Sequence, residues 1–90
     1  MSKELENLRK RIDEIDFEIL QNLAERFLLV SKITKYKTKN NLPIFAGKRE
    51  KEIIKMRKNL ARKLKLGASM AEKIFKIILK ESRNRQKNDH

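Results

Sequence analysis

Residues 3–40 read KELENLRKRIDEIDFEILQNLAERFLLVSKITKYKTKN, thirty-eight positions without a Pro or a Gly. Good helix formers fill the polar positions. Leu5, Leu8, Ile12, Ile15, Ile19, Leu23, Phe27, Val30 and Ile33 recur in steps of three and four, the spacing of one helix face. The stripe is narrow and sustained, like a coiled-coil seam. This predicts one helix from Lys3 to about Asn40, roughly 55 Å long at ~1.5 Å per residue. A compact monomer of this size would be only about 30 Å across. The far half of such a helix overshoots any globule the chain can build and needs an apolar partner from outside. The expectation is an all-α homodimer with the long helices paired.

Working outward, Lys39-Asn40-Asn41-Leu42-Pro43 stops the first helix, because Asn tolerates a left-handed cap and Pro cannot continue the run. Ile44-Phe45-Ala46-Gly47 reads as a loop. A second helix is expected from about Lys48 to Lys65, striped by Ile53, Ile54, Leu60, Ala61 and Leu64, with Glu50 on that stripe. Gly67 is a candidate C-cap, and Ser69-Met70-Ala71-Glu72 has the form of a capping box opening a third helix. Ile74, Phe75, Ile78 and Leu79 make its apolar face, which continues as Ser82 and Gln86 at i,i+4 spacing. Apolar residues giving way to hydrogen-bonding groups on one face suggest a ligand-lined end of the core. No repeat or strand-like alternation interrupts this, so residues 1–90 read as a single domain of one long and two shorter helices.

Composition narrows the chemistry. The chain carries 24 basic and 12 acidic residues, a net charge of +12, which points to an anionic partner. There is no Cys, and the one His is residue 90, so disulfides, thiolate metal sites and a His general base within the fold are all excluded. Nothing resembles a membrane span or a signal peptide, and a soluble cytoplasmic protein is the expectation. Among the cations, Arg26 and Lys37 are eleven positions apart, a turn of about 1100° and so ~20° from whole turns. They share a face. Arg9 lies about 100° off that line and points elsewhere, toward a partner's site if the helices pair. Arg9, Arg26, Lys37, Glu50, Ser82 and Gln86 could thus face one cavity. Such a set has no nucleophile paired with a base and no metal cluster; it is rich in donors and would hold and polarise an anion.

At this point the order of residues becomes specific. Leu8-Arg9-Lys10-Arg11-Ile12-Asp13-Glu14-Ile15-Asp16, Leu23-Ala24-Glu25-Arg26, Lys35-Tyr36-Lys37, Leu42-Pro43-Ile44, Lys48-Arg49-Glu50, Ile74-Phe75-Lys76-Ile77-Ile78, Glu81-Ser82 and Gln86 follow one another at compatible spacings. Together they resemble the all-helical, AroQ-type chorismate mutases over about Leu5 to Gln86. The resemblance implies a three-helix protomer in an intertwined homodimer. It also implies rearrangement of chorismate to prephenate, a unimolecular step in Phe and Tyr biosynthesis that requires no cofactor. It assigns Arg9, contributed across the interface, and Arg26 to the two substrate carboxylates. Lys37 and Gln86 match the donors to the ether oxygen, Glu50 the acceptor for the ring hydroxyl and Ser82 a group near a carboxylate. Arg49 matches a neighbouring basic position. One position departs: Ala46 stands where the family commonly has an aspartate. That departure keeps isochorismate–pyruvate lyase, which shares the fold, as an alternative. A basic helical dimer that binds nucleic acid is a further one, weakened by cations spread over every helix without a recognition-helix pattern.

Overall fold

The computed structural model describes residues 2–89, with side chains described through residue 88. It consists of three helices, α1 (Lys3–Lys39), α2 (Gly47–Lys63) and α3 (Ala68–Asp89), and no strand among the described residues. The long helix is present as the apolar spacing predicts. Ser2 caps it, its hydroxyl accepting from the Leu5 amide, and Glu4 and Glu6 sit in the first turn where acids complement the helix dipole.

Both connections are built the same way. Asn41 is left-handed (φ 55°), the Leu42 amide donates to the Lys37 carbonyl at 2.8 Å, and the Asn41 amide donates to Thr38 at 3.3 Å. These bonds satisfy carbonyls that the end of a helix would otherwise leave open. At the end of α2 the same motif recurs with Lys65 in the left-handed position (φ 60°) and the Leu66 amide on the Ala61 carbonyl at 2.8 Å. The expected cap at Gly67 is therefore displaced to a lysine two residues earlier. The box at Ser69 does not open α3 either. The helix begins at Ala68, with the Ala71 amide on the Gly67 carbonyl at 3.1 Å. Glu72 pairs with Lys58 of α2 and Lys76 of α3 rather than turning back to a cap.

The helices do not pack evenly. α3 lies against both α2 and the C-terminal part of α1, whereas α1 and α2 share no close backbone approach. The core is small: Ile53, Ala61, Ala71 and Leu79 are buried, together with the polar Thr34 and Ser82. Thr34 is tolerated there because its hydroxyl donates to the Val30 carbonyl at 3.0 Å. The protomer measures 59 × 25 × 16 Å, far from a globule. Every residue from Ser2 to Asn22 is exposed, including Leu8 at 58% and Ile12 at 57%. The first half of the stripe thus has no partner within the chain.

Candidate active site

A cavity of about 150 Å³ opens where the C-terminal half of α1, the loop before α2, the start of α2 and the end of α3 meet. The three helices bring Arg26, Glu50, Ser82 and Gln86 to its wall, and Val30, Ile33, Phe45 and Leu79 supply apolar lining. Helical spacing explains the convergence. Arg26, Val30 and Ile33 lie at i, i+4 and i+7 on α1, while Leu79, Ser82 and Gln86 lie at i, i+3 and i+7 on α3. Four of the residues singled out from the sequence are thereby placed together across more than fifty positions of chain.

Their partners fix their orientation. Arg26 Nη1 donates to Ser82 Oγ at 3.3 Å, and Ser82 Oγ donates in turn to the Ile78 carbonyl at 2.9 Å. Lys37 Nζ donates to the Ile44 carbonyl at 3.4 Å, which ties the end of α1 to the loop that borders the cavity. Burial pushes the Arg26 guanidinium below its ordinary value, and repulsion from Arg57 and Arg49 adds to the shift. The cationic group that faces the cavity is thus electrostatically unsatisfied, and a bound anion would relieve it. Arg49 is exposed beside the site rather than in its wall. Arg9 is exposed on the far half of α1 and is not brought to this cavity within the protomer.

Two features escaped the sequence. Glu50 is ion-paired with Arg83 of α3, and Arg57 acts on Arg26 while lying 5.5 Å from the centre of the Phe75 ring. In a chain with 24 basic residues neither arginine stands out by position. Arg57 is seven residues after Glu50, on the same face of α2, and that spacing was the one available signal. Ala46 is the N-cap residue of α2 and makes no side-chain cap hydrogen bond. Ala46 also lines the cavity; an aspartate there could have capped the helix and put a carboxylate into the lining, whereas alanine supplies only a methyl group. Among the described residues no group of three His, Cys, Asp or Glu is placed to hold a metal, and no helix is long and apolar enough to cross a membrane.

Fold and site together define an all-helical protein with a small cavity lined by one arginine, one acid and neutral hydrogen-bonding groups. The comparisons with known proteins name that class. Residues 8–87 match the family described as chorismate mutase type II, and the chain belongs to it. It is 33% identical over 87 residues to a chorismate mutase from Methanocaldococcus jannaschii, covering 97% of this chain and 88% of that one. A solved chorismate mutase (form II) from Thermus thermophilus superposes with a TM-score of 0.83 at 30% identity, covering 94% of this chain and 96% of the other. A T-protein from Haemophilus influenzae is 36% identical over 78 residues, which are 87% of this chain. The chain spans only 21% of that T-protein and 20% of a bifunctional chorismate mutase/prephenate dehydratase from Buchnera aphidicola.

Proposed function

We propose that this chain catalyses the rearrangement of chorismate to prephenate in aromatic amino acid biosynthesis, and that residues 1–90 make up one mutase domain. The observation that carries the reading is the convergence of Arg26, Glu50, Ser82 and Gln86 on one cavity, with Lys37 at its border. The substrate is a dianion, and an arginine presents a planar fork that bonds a carboxylate bidentately. Arg26, already positioned on Ser82, takes one carboxylate. Clamping the substrate in its compact conformer removes rotational freedom before the bond changes begin. Charge then grows on the ether oxygen as its bond breaks. Lys37 and Gln86 donate there, and fixed donors stabilise the transition state more than the ground state. Glu50, held by Arg83, accepts from the ring hydroxyl.

The second carboxylate is taken by Arg9 of a second copy. Support comes from the exposed stripe. Leu5, Leu8, Ile12, Ile15 and Ile19 are each at least 40% exposed in the single chain. Covering what remains exposed is worth on the order of 1 kcal/mol per side chain. A two-fold axis doubles the set, giving about 10 kcal/mol against an association cost of about 4–15 kcal/mol. The stripe is therefore of the size needed to hold two long helices together, and pairing them carries Arg9 of one protomer toward the cavity of its partner.

The test is direct. Purified protein is incubated with chorismate and prephenate is measured, with Arg26→Ala and Lys37→Ala alongside. Turnover that collapses in both variants supports the reading. Absence of turnover in a folded dimer, with pyruvate released from isochorismate, would replace it by the lyase reading that Ala46 leaves open.

A further inference from the structure

Glu50 stands between two sets of cations. It is the acid in the wall of the candidate active site, where Arg26 is the cation. It also lines the outer side of α2 and α3, together with Lys51, Lys80 and Arg83. The carboxylate takes the outward choice: its Oε1 accepts from Arg83 Nη1. Arg83 follows Ser82 by one residue, ~100° further around α3, so it borders the outer side while Ser82 borders the cavity. The inward choice has a strong pull of its own. Arg26 is half-buried, bonds to the Ser82 hydroxyl at 3.3 Å and has no acidic partner among the described residues. Burial, and then Arg57 and Arg49, disfavour its charge. A carboxylate gains more from a cation shielded from water than from exposed, hydrated ones such as Lys51 and Lys80. Yet an acid seated on Arg26 would occupy the fork that an incoming carboxylate needs.

With Arg26 taken as the carboxylate receptor of the mutase proposed above, a reading on which this step rests, we infer that Arg83 is a positioning residue that draws Glu50 off Arg26 and keeps that guanidinium open for substrate. Without Arg83 the site inhibits itself. Glu50 turns inward, and substrate must displace it before binding. An Arg26 left open about one-tenth of the time binds its ligand about tenfold more weakly. Once substrate is seated, Glu50 is released to the ring hydroxyl, so the loss falls on KM more than on kcat. The same acid is thus an acceptor for substrate when Arg83 is present and a competitor of substrate when it is absent.

The first test needs no turnover. In the ligand-free chain carrying nitrogen-labelled arginine, the Arg26 Nε–H resonance is assigned by its loss in Arg26→Lys. Arg83→Ala should move that resonance. Arg83→Ala/Glu50→Gln should return it to its position in Glu50→Gln alone, and Arg83→Lys, which keeps the charge but not the fork, should move it less. Arg83→Gln is run beside Arg83→Ala, so that a fold lost to truncation does not decide the outcome. Kinetics with chorismate should follow the same order. Arg83→Ala raises KM roughly tenfold with a smaller fall in kcat. Glu50→Gln is harmful in the wild-type chain, where it removes an acceptor, but lowers KM again when Arg83 is absent. That reversal is something a merely structural arginine would not produce. An unmoved Arg26 resonance in the folded Arg83 variants, a loss confined to kcat, or a Glu50→Gln change equally harmful with and without Arg83 would each overturn the inference. A resonance that moves and returns in a chain that leaves chorismate unchanged would support the hold of Arg83 on Glu50 and overturn the mutase reading instead.

Discussion

The two halves of α1 carry the same apolar spacing and have opposite fates. From Leu23 onward the helix lies against α3, buries Thr34 and presents Arg26 to the cavity. From Ser2 to Asn22 nothing is covered, and the Arg11 guanidinium bonds only to neighbours on its own helix, Glu14 at 3.3 Å and Glu18 at 3.4 Å. Periodicity therefore marks an apolar face without reporting what, if anything in the chain, covers it. The near half is covered by the chain itself; the far half has no cover within the chain, and the proposed dimer would supply it.

The sharpest way to break that contrast uses one arginine from each half. Arg9→Ala and Arg26→Ala should each lower kcat/KM for chorismate by roughly a hundredfold or more, since each removes a charge-assisted carboxylate clamp. Co-expressed, the two inactive chains should recover about a quarter of wild-type activity, because half of the dimers are mixed and each mixed dimer has one intact site. No recovery would mean that Arg9 acts within its own chain or not at all.

Next in size is the seam itself. Ile12→Asp should abolish the dimer in sedimentation velocity and cost several kcal/mol, on the order of burying an unpaired charge. If the far half were simply solvated, the substitution would change almost nothing, and sedimentation would return the same species as wild type.

Electrostatics of the near half gives a smaller effect. Arg26 is disfavoured in its charged form by burial and by Arg57 and Arg49. Its folded-state pKa lies below the unfolded one, so folding is opposed while the group is charged and the opposition lifts only as pH rises through the folded value. At neutral pH the penalty is fully present. A dicarboxylate should therefore raise Tm by a few degrees, in line with about 2.7 kcal/mol at a hundredfold excess over Kd, and Arg57→Leu should reduce that gain in a thermal-shift series. Activity itself should vary little between mildly acidic and mildly basic pH, since the neutral Gln86 amide donates throughout; a steep loss through neutrality in a pH–rate profile would contradict its role.

The smallest expected change is at the α2–α3 turn. Hydrogen bonding to Lys58, and then the charges of Lys58 and Lys76, hold the Glu72 carboxyl below the usual carboxylate range. That contribution is present above the unfolded pKa and is lost as pH falls through the folded one. Amide exchange around residues 64–68 should accelerate in that acid window, and Glu72→Gln should remove the dependence.

Much of this was legible in the sequence, and the failures have physical causes. The length of α1, its stop at Asn41 and the shared face of Leu79, Ser82 and Gln86 follow from spacing and turn chemistry, which are local. Glycine enters the left-handed region without strain, which points to Gly67 as the C-cap, yet the motif at the end of α2 falls two residues earlier, and Lys65 adopts it. Ser69 and Glu72 have the capping-box form, but Glu72 gains more from two lysines than from its own helix start. The Arg83–Glu50 pair depends on which turn of α3 lies across from α2, a register that no single segment encodes.

The uneven packing of α3 bears on how the molecule comes to exist. α2 and α3 are joined by a four-residue turn and meet along their lengths, so their mutual contacts are close in sequence and can form early. α1 reaches them through contacts some fifty residues apart, such as Arg26 with Ser82, and closes a longer loop to do so. Loop-closure cost alone thus predicts that the α2–α3 hairpin forms before α1 docks on it. A late-arriving helix with half its stripe uncovered can dock on its own hairpin or on another chain's, so if the chains pair as proposed, the concentration during synthesis should set the yield of correctly paired molecules.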